Sequence, residues 1–216
     1  MKKSGRYKTS HLIEDQFEPG SRGRVLKNLL HVQRRRKMDV IEAEKYALAI
    51  PVLMDMFSKT HRFTANDICE MHRIWLGDIY EWAGRYRQVN ITKDGFPFAA
   101  AAQIPKLMQE LERGLLRKYT PCLFAKDEEI ITALSVVHAE LMLIHPFREG
   151  NGRVGRLLAV LMALQAGLPG LDFTGIRGKM RKSYFAAVQA SANKDYEPMK
   201  RVFSAVLSRT RRTLAK

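Results

Sequence analysis

The chain is poor in cysteine, in long apolar runs and in acidic residues, and each shortage removes a class of protein. Its two cysteines, Cys69 and Cys122, stand far apart with no CxxC spacing and no histidine pair beside them. That excludes a disulfide framework and an ordinary zinc site, and predicts two small buried apolar side chains in a reducing cytoplasm. No stretch approaches the roughly 18 consecutive apolar residues of a membrane-spanning helix. The opening MKKSGRYKTSHL carries charge with no apolar segment behind it, so the expectation is a cytoplasmic, unprocessed chain that makes no use of a membrane. Internal repeats and low-complexity segments are absent as well.

Acidic residues number 22 against 37 Lys and Arg, a formal net charge of +15. Such an excess attracts nucleic acid, nucleotides and acidic protein surfaces at low salt. The basic runs fall at 22–27, 34–37, 177–182 and 209–216, a scatter that reads as several solvated faces, so nucleic acid is expected to bind only non-specifically. A length of 216 residues with 46% hydrophobic residues suits one core and is short for two domains.

Apolar spacing of three and four dominates from about residue 39 onward, which predicts a nearly all-α bundle. A helix over 39–59 would carry Ile41, Leu48, Val52, Leu53 and Phe57 inward, with Pro51 kinking or dividing it. Thr64 reads as an N-cap with Asp67 in the first turn, opening a helix striped by Ile68, Met71, Ile74, Trp75 and Ile79. Residues 81–85 break that helix. Over 86–98, β-formers surround Asp94-Gly95, the dipeptide of a tight hairpin turn. Further helices are predicted over 101–118, with Ile104, Leu107, Met108, Leu111 and Leu115 inside, and over 126–144, with Ile130, Ile131, Leu134, Val137 and Leu141 inside. After a loop at 145–151, an apolar helix closes at Gly167 and Pro169, and basic helices over 179–193 and 197–213 finish the chain.

The stretch His145-Pro-Phe-Arg-Glu-Gly-Asn-Gly-Arg-Val-Gly-Arg156 packs polar residues and glycines between two apolar helices. A glycine-rich loop opening a helix presents unsatisfied amides at the positive end of the helix dipole, which is an anion site suited to phosphate. Gly150 and Gly152 would let the backbone approach phosphate oxygens, and Arg153 and Arg156 would bring bidentate donors on one helix face. Glu149 offers one hard oxygen to Mg²⁺, which takes few carboxylates and fills its shell with water and phosphate. His145 is a base that titrates near neutral pH. Together these parts specify phosphoryl or nucleotidyl transfer. The alternatives GxxxxGK(S/T) and GxGxxG after a strand are absent.

The same stretch resembles the signature of the Fic family, HPFx(D/E)GNGRxxR, and matches it at every specified position. Trp82-Ala-Gly-Arg-Tyr-Arg87 followed by a hairpin is similar to that family's approach to its flap, and the resemblance extends over about 18–203, most of a single 1–216 domain. It implies a protein adenylyltransferase that moves AMP from ATP, with Mg²⁺, onto a Tyr, Thr or Ser hydroxyl of a target protein. His145 would be the base and Glu149 the metal ligand. Asn151 would position phosphate, the amides of residues 150–153 would cradle it, Arg153 would grip it, and Arg156 would orient the γ-phosphate. Phe147 joins the nucleotide-binding set as its core anchor. Lys93, Asp94 and Phe98 would belong to a flap that holds the target as an added strand.

Arg156, with Gly150 rather than Ala, sets the chain apart from the family's kinase branch, which resembles HxFx(N/D)(A/G)N(K/R)R. By analogy the chain would be the toxin of a toxin–antitoxin pair with DNA gyrase or topoisomerase IV as targets. Ser10-His-Leu-Ile-Glu14 only partly fits the family's inhibitory (S/T)xxxE(G/N), because Asp15 follows it. A separate antitoxin chain is therefore expected, with Glu14 as the internal alternative. Two other functions stay open: the same fold transferring phosphate or using another donor, and a basic nucleic-acid-binding module whose loop only binds phosphate. His11, His31, His61, His72 and His138 lack paired metal spacing and read as surface or satisfied core residues.

Overall fold

A computed structural model describes residues 11–214. An irregular entry, tied by Asn28 hydrogen bonds to the buried Glu18 carboxylate, leads into α1 (Arg35–Met56). This helix starts earlier and ends sooner than its apolar spacing predicts, and it runs unbroken through Pro51. Pro51 and Ala47 are both exposed, so water can serve the carbonyl that the proline leaves without a donor. The predicted inward face is corrected as well. Leu48 and Val52 are 66% and 51% exposed, whereas Met38, Glu42, Ala49 and Leu53 are buried. The face is chosen by what it meets: Trp75 donates to the Glu42 carbonyl, and Tyr80 donates to the Glu42 carboxylate.

Helix α2 (Ala65–Leu76) opens on the predicted cap. Thr64 accepts from the Asp67 amide and Asp67 accepts from the Thr64 amide, a reciprocal capping box. The hairpin is a short antiparallel pair, β1 (Thr92–Lys93) and β2 (Phe96–Pro97), turned by Asp94 and Gly95 at φ 50° and 82°. Positive φ at both central residues matches the right-handed twist of the flanking strands, which is why Asp-Gly signals such a turn.

Helix α3 (Ile104–Leu111) continues through a π-helical turn (Glu112–Leu116) into a last turn at Arg117–Tyr119. The wider turn shifts the buried face by one position, so Leu116 rather than Leu115 is fully buried. Helix α4 (Asp127–Ile144) lies at the centre of the bundle, against α3, α5 (Asn151–Gln165), α6 (Lys179–Ser191) and α7 (Glu197–Leu214). Gly155 permits the close approach of α4 and α5, since a Cβ there would stand 2.6 Å from the Met142 methyl. Among the described residues, no helix is long and apolar enough to cross a membrane. What this bundle does for function is to bring the end of α4, the start of α5, the hairpin and α6 around one cavity.

Candidate active site

The cavity has a volume of 520 Å³, within the range of small-molecule sites. Its floor is the turn between α4 and α5. Helix α4 ends at His145, whose backbone takes the left-handed conformation (φ 53°, ψ 60°) and so swings the following residues away from the helix axis. Arg87, 1% exposed, holds this turn in place. Its Nε donates to the His145 carbonyl at 2.7 Å and its Nη2 to the Ala99 and Ile144 carbonyls. Its Nη1 donates to Val89 O at 2.6 Å, so one guanidinium joins the helix end to both legs of the hairpin.

The His145 ring is fixed on two sides. It stacks on Phe98 with centroids 3.8 Å apart, and Nδ1 faces the Met142 carbonyl at 3.3 Å. The carbonyl can only accept, so the proton sits on Nδ1 and Nε2 carries the lone pair. Burial pushes this imidazole down to about 4, with the Arg87 and Lys93 charges adding to the effect and the Met142 bond opposing it. At neutral pH His145 is therefore an uncharged base on the cavity wall.

Facing it is the amino end of α5. Gly150, the N-cap, has φ 85°, and a Cβ there would stand 2.7 Å from the Trp75 ring, so backbone conformation and packing both require glycine. Of the four amides expected to cradle phosphate, two are already engaged: Gly150 N donates to Glu149 Oε1 and Arg153 N to Gly150 O. Among the described residues, the Asn151 and Gly152 amides have no protein acceptor, and these form the donor pair at the helix end. Gly152 leaves room beside them, because a Cβ there would meet only Arg156 Nη1 at 3.6 Å.

Asn151 spends its side chain inside the loop, accepting from Phe147 N at 2.8 Å and donating to Phe147 O at 2.7 Å. Any effect on phosphate would pass through the backbone it sets. Phe147 is fully buried against His72, centroids 3.9 Å apart, and does not line the cavity. It anchors the loop and is not a nucleotide contact. Glu149, Arg153 and Arg156 do line the cavity, as do Lys93 and Phe98 of the hairpin. Asp94 sits exposed at the turn tip, outside the lining. Sequence reasoning missed α6, which supplies Arg181, Tyr184 and Phe185, with Lys93 Nζ lying 3.9 Å over the Phe185 ring. It also missed Arg148, whose Nε donates to the Glu14 carbonyl.

His72 is a satisfied core residue that nonetheless shapes the site. The Gly84 amide donates to its Nδ1 at 2.8 Å, so Nε2 bears the proton and donates to the Glu149 carbonyl at 3.0 Å. His138 is likewise buried, between the Gly155 carbonyl and the Tyr184 hydroxyl. Burial pushes both imidazoles down to about 4. As pH falls from the unfolded value of about 6.5 towards 4, the unfolded chain takes up protons that the folded chain refuses. Their stabilisation is complete above pH 6.5 and is lost on acidification. Each is expected to cost on the order of 2 kcal/mol between pH 7 and 4.5, at about 2–4 °C in Tm per kcal/mol. Melting curves across this window check it, and a midpoint that does not move contradicts the burial of neutral imidazoles.

Comparison with known proteins accords with this geometry. The Fic/DOC family matches residues 62–163. A probable protein adenylyltransferase Fic from Salmonella typhimurium is 32% identical over 151 residues, 68% of this chain and 70% of the relative. Protein adenylyltransferase Fic of Nematostella vectensis is 30% identical over 173 residues, but the match spans 78% of this chain and only 37% of that protein. The N-terminal Fic domain of a VirB-translocated Bep effector protein from Bartonella quintana, solved with bound ADP, superposes with a TM-score of 0.67 at 26% identity, covering 84% of this chain and 89% of that one. This chain belongs to the Fic/DOC family.

Proposed function

We propose that the chain is a protein adenylyltransferase. The observation that carries this reading is the pairing, across one cavity, of an uncharged imidazole with its lone pair free and a helix amino end flanked by Arg153 and Arg156. In this reading His145 Nε2 takes the proton from a Tyr, Thr or Ser hydroxyl of a target protein as that oxygen attacks the α-phosphorus of ATP. The bond from α-phosphorus to the bridging oxygen breaks, AMP stays on the target, and pyrophosphate leaves. The Asn151 and Gly152 amides and the two arginines stabilise the charge on the phosphates. Lys93 and Phe98 place the hairpin beside the base, where a target segment would pair as an extra strand.

The residues fit a magnesium ion. Among the described residues, no cluster of three or more potential metal ligands gathers, so a cation here would take one Glu149 oxygen and complete its shell with phosphate and water, as Mg²⁺ commonly does. When bound, it would neutralise phosphate charge.

Arg156 has no carboxylate partner among the described residues, and it lies between the cavity and an apolar groove lined by Tyr46, Ile50, Val160, Leu171 and Phe173. Glu14 is committed elsewhere: its carboxylate accepts from the Gln88 amide at 2.6 Å, while Ser10 lies outside the described residues. This arrangement supports inhibition by a separate antitoxin chain that brings a carboxylate to Arg156, and with it a toxin–antitoxin role. DNA gyrase and topoisomerase IV are the proposed targets by family analogy alone.

The test is incubation with Mg²⁺, bacterial lysate and ATP labelled at either the α- or the γ-phosphate. Adenylylation predicts discrete proteins labelled only from α-labelled ATP. Label from the γ position would instead assign phosphate transfer, and nucleic-acid binding with no labelled protein would assign a binding module.

A further inference from the structure

Helix α1 lies outside the residues matched by the family, yet one of its carboxylates, Glu42, holds an arginine that lines the cavity. Glu42 is 1% exposed, and a carboxylate so buried must be fully partnered. Its Oε2 accepts from Arg153 Nη2 at 2.7 Å, and its Oε1 accepts from the Tyr80 hydroxyl at 2.7 Å. Trp75 donates to the Glu42 carbonyl at 2.8 Å and lays its ring 4.3 Å from the Arg153 guanidinium carbon. Tyr46 donates to the Arg153 carbonyl at 3.2 Å. The arginine is thus held by one edge, one face and its backbone.

A second carboxylate competes for the same guanidinium. Glu149 Oε1 stands 3.7 Å from Arg153 Nη2, a full ångström further than Glu42. At 2.7 Å the contact with Glu42 is a charge-assisted hydrogen bond; at 3.7 Å the contact with Glu149 is not. Resting on the reading of this site as a MgATP site, we propose that Glu42 is a positioning residue that keeps Arg153 from ion-pairing with Glu149, whose Oε1 already accepts from the Gly150 amide, so that the Glu149 charge stays available to the metal and the rest of the guanidinium to phosphate. Without Glu42, Arg153 closes the gap, neutralises Glu149 and leaves the phosphate side of the cavity.

Glu42→Gln tests this, because it keeps an acceptor for Tyr80 and removes the charge that holds Arg153. Equilibrium binding of a fluorescent ATP analogue is measured at varied Mg²⁺, beside a melting curve. The expected result is about tenfold weaker binding at fixed Mg²⁺ and a higher Mg²⁺ concentration for half-maximal binding, a shift that loss of packing alone would not produce. Arg153→Gln weakens binding by itself, and adding Glu42→Gln to it changes nothing further, since the two act as one unit.

Unchanged binding by a folded Glu42→Gln protein overturns the proposal. Tighter binding does so too, because Glu42 would then restrain the site, and so do additive effects in the double variant. If Glu42→Gln does not fold, Glu42→Asp, which keeps the charge and withdraws it by one methylene, must show the same Mg²⁺ shift. Binding by the unaltered protein with no effect of these changes sinks this inference alone. No binding by the unaltered protein sinks the adenylyltransferase reading with it.

Discussion

Replacing His145 with alanine is expected to lower AMP transfer by roughly 10²–10⁴-fold, the usual contribution of a positioned general base, while MgATP binding changes by less than about threefold. The split follows from geometry. The imidazole lines the cavity, held by Phe98 and the Met142 carbonyl, and makes no contact with Arg153 or Arg156, so its removal takes away the proton acceptor and leaves the arginines and amides in place. Transfer to labelled target and nucleotide binding, measured side by side, check this. Equal loss of both would mean that the ring supports the cavity and is not the base. Raising the pH should not rescue the variant, because the group that titrates is gone.

The second large effect is expected at Arg87. Replacing it with leucine strands four carbonyls, those of Val89, Ala99, Ile144 and His145, in a region where the arginine itself is 1% exposed. Each lost charge-assisted bond leaves a buried acceptor without a donor, and the sum is expected to lie in the range of roughly 3–5 kcal/mol typical of breaking a buried charged network. A denaturant titration gives the stability loss. Transfer should fall even under conditions where the variant is folded, because His145 loses the bond that fixes its backbone. A folded Arg87→Leu protein with full activity would show that the hairpin and the turn hold their places without it.

Much of the site was readable because its residues are neighbours in sequence. His145, Glu149, Gly150, Arg153 and Arg156 fall within one turn and the helix after it, so spacing alone places them together, and the structure finds them on one cavity. The hairpin was legible for a similar reason, since the Asp94-Gly95 turn depends on backbone conformation that two residues supply. Phe147 and Asp94 show the limit of that reading. The family resemblance put both in the site, Phe147 as a core anchor and Asp94 as part of the flap; the structure turns the Phe147 ring into the core and leaves Asp94 at an exposed tip outside the cavity lining. Leu48 and Val52 fail on the same ground, because periodicity marks an apolar stripe without saying which face finds a partner.

By itself the sequence determined the helical bundle, the tight hairpin and the glycine-rich turn that opens α5, all of which depend on contacts between residues a few positions apart. Only the tertiary structure decided that Arg87 staples the turn to the hairpin, that His72 holds the Glu149 carbonyl, that α6 walls the cavity, and that Glu42 faces Arg153. The reason is physical. Each of these contacts joins residues dozens of positions apart, and a buried arginine, histidine or glutamate looks like a surface one until packing removes water and brings its partner within reach.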